Sequence, residues 1–207
     1  MRASPSTRFV LASRSPQRSA ILTQLGIPFR VVVSAFDERL QEKDPHHSAE
    51  ANARGKAGEV LARERLLAGE MVLGVDTLVM VGGRVLGKAG TEAEAHDCLR
   101  LLSGRTHEVV SGLCLADGRH EFCGHAVTAV TFAPLSGAEM AAYVAGGEWR
   151  ERAGAYAIQG IGSALIEGVD GDYQNVVGLP VALLMTALAE FGVTPLSWCG
   201  AGSAGGR

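Results

Sequence analysis

The segment FVLASRSPQRSAILTQLG, residues 9–26, contains the local signals that decide how the fold begins. Four apolar residues predict a short strand, and the polar turn Ser13–Ser15 follows it. Ser15 is a favourable N-cap, Pro16 suits the first helical position, and Gly26 is typical of a helix end. The free N–H groups and the positive end of the helix dipole then point at the turn and attract a phosphate or carboxylate. An ordinary strand-to-helix junction explains this segment equally well.

The composition excludes several classes of function. The chain has 207 residues, 47% of them hydrophobic and 20% charged, which is ordinary for a globular domain. A net charge of −3 excludes bulk attraction to nucleic acid or to an anionic membrane, so an anion site has to be built locally. The N-terminus lacks the apolar core of a secretory signal, and the longest apolar stretch, residues 176–188, is too short to cross a bilayer. The four cysteines show no zinc or disulfide spacing, so reduced thiols in the cytoplasm are expected.

The alternation of strand and helix patterns predicts an α/β fold. Tight turns at Gly82–Gly83 and Asp117–Gly118 join strands into antiparallel hairpins, so we expect a mixed sheet covered by about five helices rather than a doubly wound parallel sheet. Beyond residue 26 the predicted helices are 48–64 with Ser48 as its cap, 91–102, 136–145 and 175–191. The predicted strands are 28–34, 71–81, 84–88, 107–116, 121–132 and 164–169, and loops are predicted over 41–47 and 154–162.

Asp76 stands out because it lies in the middle of an apolar strand, VLGVDTLVMV, residues 72–81. A carboxylate among apolar neighbours costs free energy unless a partner compensates its charge. It can cap backbone groups at a strand irregularity, or face a cleft and bind a metal or activate water. We favour the second interpretation, because buried acids in apolar strands are more often functional than surface ones. Antiparallel pairing across Gly82–Gly83 places Lys88 about level with Asp76 and Thr77.

Other polar residues carry weaker signals when they are taken one at a time. Lys88 alone is typical of a solubilising edge lysine, Lys56 lies on a charged helix, and Asp37–Glu38 is typical of an acidic loop. Gln159 lies among small residues that let a backbone approach a ligand, so its amide either recognises a base edge or binds its own loop. Four of the six histidines were candidates for a metal site, but they lack the further ligands and are interpreted as surface or structural side chains. They are His46, His47, His107 and His125.

Four segments together resemble the Maf family of nucleoside triphosphate pyrophosphatases. They are LASRSPQRSAILTQLGI, LGVDTLVMVGGRVLGKA, LSGRTHEVVSG and AGAYAIQGIGSALIEGVDGDYQNVVGLP, and they extend over roughly residues 9–192. The resemblance implies an α/β fold with a mixed, elongated sheet, flanking helices and two lobes around a cleft, similar to the inosine triphosphate pyrophosphatases. It implies a single domain over residues 8–193, followed by a flexible, glycine-rich tail over residues 194–207.

The resemblance also implies an activity, which is hydrolysis of a nucleoside triphosphate between its α and β phosphates. Members of the family need a divalent metal, Mg²⁺ or Mn²⁺, are cytoplasmic, and are often homodimers. Six residues match polar positions of the family's cleft. Their expected roles are catalysis for Asp76, Lys88 and Glu38, substrate binding for Ser13, Arg18 and Lys56, and metal binding for Glu38 and Asp76. Whether Asp76 mainly holds the metal or mainly removes a proton from water stays open at this stage.

The choice of base depends on three positions. Thr77 and Gln159 match the subgroup of the family that acts on dTTP and UTP. Gln17 departs from that subgroup, which usually has Ser-Pro-Arg-Arg in the first motif. Glutamine has neither the positive charge nor the paired N–H donors of the arginine guanidinium. We therefore expect dTTP or UTP, with another or modified nucleotide such as 7-methyl-GTP as one alternative. The other alternative is a nucleotide-binding regulator of cell division, although a pure binder has no need for the catalytic set.

Overall fold

A computed structural model describes residues 8–39 and 44–194. Within these residues seven strands form one sheet in the order β2-β1-β3-β5-β6-β7, and β4 pairs with the far end of β3. The strands are β1 (Arg8–Leu11), β2 (Phe29–Val31), β3 (Glu70–Val81), β4 (Arg84–Leu86), β5 (Thr106–Ala116), β6 (Glu121–Phe132) and β7 (Ile166–Asp170). The helices are α1 (Pro16–Gln24), α2 (Pro45–Arg63), α3 (Glu92–Leu102), α4 (Gly137–Gly146), α5 (Tyr173–Val177) and α6 (Val181–Glu190), with a 3₁₀ helix over Gly160–Leu165. The predicted tail lies outside the described residues from residue 195 onward.

The sheet is parallel on one side and antiparallel on the other, which confirms the predicted mixed α/β fold. Strand β1 pairs in parallel with β2 and β3, whereas β3, β5, β6 and β7 are successive antiparallel neighbours. The predicted turn at Gly82–Gly83 joins β3 to β4, and both glycines adopt the positive φ that favours glycine. None of the helices formed by the described residues has the length and apolar character needed to span a bilayer.

Alternating residues of the central strands bury two apolar surfaces. Phe9 and Leu73 face the larger core, which α1, α3, α4 and α6 complete. Val10 and Val72 face the opposite side, where they pack against α2. Burial of a Val or Leu side chain contributes roughly 1.5–3 kcal/mol, so both layers hold the sheet firmly.

Two glycines let α2 approach the sheet closely. Gly74 on β3 and Gly112 on β5 lie beneath the helix, where a Cβ atom would overlap the backbone of Ala53 or of Ala49. The sheet surface is therefore flat enough at these positions for polar side chains of α2 to reach the strands.

The predicted start of α2 was wrong. Ser48 is not the cap, because the helix begins at Pro45, and Asp44 Oδ1 accepts a hydrogen bond from the backbone N–H of His47. Asp followed by Pro is itself a favourable N-cap and first helical position. His46 and His47 therefore lie in the first turn of α2 rather than in a loop.

The C-terminal elements also differ from the prediction. Residues 160–165 form the 3₁₀ helix, where a loop was predicted up to residue 162 and a strand from residue 164. The Glu148 carboxylate accepts hydrogen bonds from the N–H groups of Ile161 and Gly162 and so stabilises this turn. The helix predicted over 175–191 is divided into α5 and α6. Gly178 has a φ of +129° and Pro180 lacks an N–H, so the chain cannot continue as one helix there.

Candidate active site

A cleft forms along one edge of β3, because the strands on that edge, β1 and β4, leave its middle residues unpaired. On one edge, β3 pairs with β1 through residues 70–73 and with β4 through residues 79–81. Asp76 and Thr77 lie in the gap between these two strands. The gap opens into a cleft of about 860 Å³, which is large enough for a nucleotide.

All nine residues that the sequence predicts for the site line this one cleft. They are Ser13, Gln17, Arg18, Glu38, Lys56, Asp76, Thr77, Lys88 and Gln159. They come from six separate parts of the chain: the turn before α1, α1 itself, the segment after β2, α2, the β3–β4 hairpin and the loop before the 3₁₀ helix. The structure places them together, and their chemical roles stay predictions.

Asp76 is only 4% exposed, and its charge is compensated by side chains of α2. Lys56 Nζ lies 2.7 Å from Asp76 Oδ1, and Asn52 Nδ2 donates to Asp76 Oδ2 over 2.9 Å. The same Lys56 Nζ lies 2.6 Å from Glu38 Oε1. The two carboxylates therefore converge on one ammonium group, with Asp76 buried and Glu38 open to the cleft.

Arg18 connects three parts of the site instead of pointing into open solvent. Its guanidinium donates to Ser13 Oγ over 2.8 Å, to Thr77 Oγ1 over 3.1 Å and to the Gly178 carbonyl oxygen over 2.9 Å. Thr77 Oγ1 is also 2.9 Å from Ser111 Oγ. These contacts fix the hydroxyl groups of Ser13 and Thr77, so both hydroxyls face the cleft in defined positions.

Residues 150–153 form one wall of the cleft. Lys88 forms an isolated antiparallel bridge with Ala153, and its Nζ lies 3.4 Å from Glu151 Oε2. Glu151 has a φ of +59°, a conformation that non-glycine residues seldom adopt and that costs free energy. This wall therefore holds Lys88 at the cleft beyond the end of β4.

Gln17 contacts a basic residue of that wall. When its amide is oriented to satisfy both of its polar atoms, the oxygen accepts from two nitrogens of Arg152 over 2.9 and 2.8 Å, and the nitrogen donates to Ser15 Oγ. Arg152 thus places a guanidinium beside the side chain of residue 17.

Sequence reasoning missed Asn52 and Arg152. Asn52 had a detectable signal, because it precedes Lys56 by four residues and so lies on the same face of a helix. Arg152 carried no local signal, since its contact with Gln17 joins segments that are far apart in the chain.

Three buried ring side chains pack together beneath the cleft. His107 Nε2 lies 2.8 Å from the hydroxyl oxygen of Tyr156, and Phe132 packs edge-on against both rings. Burial lowers the pKa of His107 to about 4, because the charged imidazolium would lose its hydration. His107 is therefore neutral at pH 7.

We expect His107 to make the fold less stable in mild acid. An unfolded histidine has a pKa near 6.5, so between about pH 6.5 and pH 4 the unfolded chain binds a proton that the folded chain does not. The free energy of unfolding should fall over this range by up to about 3 kcal/mol. Urea unfolding at pH 7, 6 and 5 measures this slope. His107→Phe should reduce it, and His120→Gln, which changes an exposed histidine, should keep it; equal slopes in all three proteins would contradict the prediction.

The fold and the site together define an α/β protein with a basic cleft around a buried carboxylate. The chain matches the family described as Maf-like protein over residues 8–191. A dTTP/UTP pyrophosphatase of Symbiobacterium thermophilum is 45% identical, over 94% of this chain and 99% of the relative. The dTTP/UTP pyrophosphatase of Moorella thermoacetica is 46% identical over 90% and 96%, and that of Deinococcus radiodurans is 43% identical over 94% and 98%. The chain belongs to the Maf family.

Proposed function

We propose that the protein hydrolyses a nucleoside triphosphate between its α and β phosphates, releasing a nucleoside monophosphate and pyrophosphate, and that it prefers dTTP or UTP. The observation that carries the proposal is the buried Asp76 carboxylate, held by Lys56 and Asn52 at a cleft rich in basic groups. The relatives named dTTP/UTP pyrophosphatase support the same reaction and the same nucleotides.

The charge of the cleft suits a polyphosphate. Among the described residues that line it, the basic ones are Arg14, Arg18, Lys56, Lys88, Arg150 and Arg152, and the acidic ones are Glu38, Asp76 and Glu151. The N-terminus of α1 adds backbone N–H groups and the positive end of a helix dipole. A triphosphate carries about four negative charges, so its binding and its transition state both need such a positive surface.

A divalent cation, Mg²⁺ or Mn²⁺, is part of the proposal. Glu38 and Asp76 supply carboxylate oxygens, which these ions prefer, and both carboxylates contact the same positive group, Lys56 Nζ. The donor set therefore fits such an ion, with phosphate oxygens of the substrate as further ligands. When bound, the cation neutralises phosphate charge and makes a water molecule more acidic.

The side chains of the cleft have separate tasks in this reaction. The Asp76 carboxylate accepts a proton from the attacking water, and Asn52 keeps that carboxylate in place. Lys56 and Lys88 compensate the negative charge that develops on the departing pyrophosphate. Arg18 holds the Ser13 hydroxyl at the start of α1, where it is available to a phosphate oxygen.

Removal of the cation tests its place in the reaction. We expect dialysis against EDTA to abolish pyrophosphate release, and added Mg²⁺ or Mn²⁺ to restore it, because the cation neutralises phosphate charge and makes the attacking water more acidic. Full activity in EDTA would contradict the metal requirement while leaving the hydrolytic reaction in place.

A panel of nucleotides tests the reaction and the substrate separately. Pyrophosphate release from dTTP, UTP, CTP and 7-methyl-GTP, compared as kcat/KM, should rank dTTP or UTP first. A higher value for 7-methyl-GTP would contradict the proposed base while supporting the chemistry. Nucleotide binding without release from any member of the panel would instead support a regulatory protein.

Position 17 gives a sharper test of base choice. We expect Gln17→Arg to raise the preference for dTTP or UTP several-fold, because the new guanidinium restores a fork of donors and is repelled by Arg152 toward the cleft. Gln17→Met is the matched control, since it loses the contact with Arg152 without adding a charge. If both variants keep the wild-type ranking, position 17 has no part in specificity.

The proposal also includes a cytoplasmic location and assembly as a homodimer. Both follow from the resemblance to the family, and apolar side chains that are exposed around β6 and β7, including Val127 and Val169, support a contact between copies. Light scattering after gel filtration measures the assembly, and a monomer at micromolar concentration would contradict the homodimer.

A further inference from the structure

Two cysteines that lie outside the segments quoted for the family resemblance meet across the sheet. Cys114 on β5 and Cys123 on β6 are direct antiparallel partners, and their Sγ atoms lie 2.7 Å apart. Directly opposed residues of antiparallel strands have the Cα spacing that a disulfide needs. A bond of about 2.05 Å therefore requires only a small movement of the two side chains.

The two thiols differ in accessibility. Cys114 is fully buried against Ala53 and Ala57 of α2, whereas Cys123 is half-buried at the margin of the same cluster. Strand β7 pairs with residues 129–132 of β6, so within the described residues the part of β6 that carries Cys123 is at the edge of the sheet. A small reagent can reach Cys123 first.

The two thiols also differ in their pKa values, because of the contact between the sulfur atoms and because of neighbouring charges. The hydrogen bond between the two sulfurs lowers the pKa of Cys123, and the same bond together with burial raises the pKa of Cys114. Arg54 of α2 forms an ion pair with Glu121, two residues from Cys123, and its positive charge favours a thiolate there, whereas burial and the negative charge of Glu121 act in the opposite direction. Cys123 is the better nucleophile, and Cys114 is placed to attack it.

We propose that Cys114 and Cys123 form a reversible redox site. A low-molecular-weight disulfide such as oxidised glutathione oxidises the two thiols to an intramolecular disulfide. In the first step the Cys123 thiolate attacks one sulfur of the reagent, forming a mixed disulfide and releasing one glutathione thiolate. In the second step Cys114 loses its proton, its sulfur attacks Cys123 Sγ, and the second glutathione leaves. The protein loses two protons and two electrons, and oxidised glutathione becomes two molecules of glutathione.

Thiol mapping in glutathione buffers tests the site. The reduced protein, incubated at a series of ratios of oxidised to reduced glutathione, is alkylated and digested, and its peptides are identified by mass spectrometry. We expect a peptide cross-linked between Cys114 and Cys123, two hydrogens lighter than the reduced pair, and no cross-link that includes Cys98. Complete alkylation of Cys114 and Cys123 under oxidising buffer would overturn the proposal.

Three variants separate the steps. Cys114→Ala should stop Cys123 at the mixed disulfide with glutathione, and Cys123→Ala should leave Cys114 as a thiol. Cys98→Ala, which removes a half-buried cysteine of α3, should still form the cross-link. A mixed disulfide on Cys123 that persists in the wild-type protein would overturn the second step.

A metal is the competing occupant, because Glu121 brings a carboxylate oxygen close to the two sulfurs. Zn²⁺ titrated into the reduced protein should not protect Cys114 and Cys123 from alkylation, because Glu121 is already paired with Arg54. Protection of both thiols by one equivalent of Zn²⁺ would identify a metal site and overturn the redox site. This test uses no nucleotide, so its outcome is independent of the proposed hydrolysis.

Discussion

Asp76→Asn is expected to lower the turnover of the preferred nucleoside triphosphate by at least ~100-fold, the usual effect of losing a positioned acid–base group. Asparagine keeps the shape of the side chain, but it neither accepts a proton from water nor offers a charged oxygen to a cation. We expect the variant to fold, because Lys56 Nζ still contacts Glu38 and the Val75 carbonyl oxygen. Initial rates of pyrophosphate release at saturating nucleotide measure the loss.

The matched control makes the same chemical change elsewhere. Asp117→Asn alters an aspartate at the β5–β6 turn, outside the cleft, where Oδ1 accepts from the N–H groups of Arg119 and His120. Its turnover should stay within about twofold of the wild-type value, since surface substitutions away from a site have small effects. If Asp76→Asn retained a third or more of wild-type turnover, Asp76 would not be the catalytic carboxylate.

The second large effect is expected from Gly112→Ala, which should destabilise the fold by about 3 kcal/mol, the upper part of the range for overpacking a core. A Cβ atom at this position would overlap the backbone of Ala49, so α2 would have to move away from the sheet. Lys56 belongs to the same helix and would move away from Asp76, so activity should fall together with stability. Urea unfolding and initial rates measure the two effects.

Gly58→Ala is the control for this experiment. Gly58 lies on the exposed side of α2, and a Cβ atom there meets nothing within 4 Å. Alanine should therefore stabilise the protein by roughly 0.5–1 kcal/mol, because it has a higher helix propensity than glycine. A Gly112→Ala protein as stable as Gly58→Ala would show that close approach of α2 to the sheet is unnecessary.

The elements that could be predicted from the sequence are those with short-range hydrogen bonds. The capping boxes at Thr91 and Ser136 each satisfy two backbone groups within one turn of helix, and they open the two helices predicted from residues 91 and 136. The glycine turn between β3 and β4 is local in the same way. The sequence identified Asp76 as a candidate site residue because a carboxylate is unusual in an otherwise apolar strand.

The wrong predictions had two different causes. Asp44–Pro45 is a local cap signal that was interpreted as loop, so the information was present in the sequence. The 3₁₀ helix at residues 160–165 depends on Glu148, a residue from a different segment, and no local pattern predicts such a contact. The contact between Cys114 and Cys123 likewise depends on the register of β5 against β6.

By itself, the sequence determined the alternation of strands and helices, the mixed sheet, the family, and nine of the residues that line the cleft, because these depend on local patterns and motif order. Only the tertiary structure decided which side chains touch. Lys56 bridges Asp76 and Glu38, and Arg18 holds Ser13 and Thr77, because α2 and α1 lie at particular distances from β3. Those distances are set by close packing. For α2, the absence of a Cβ atom at Gly74 and Gly112 allows the helix to pack directly against the sheet.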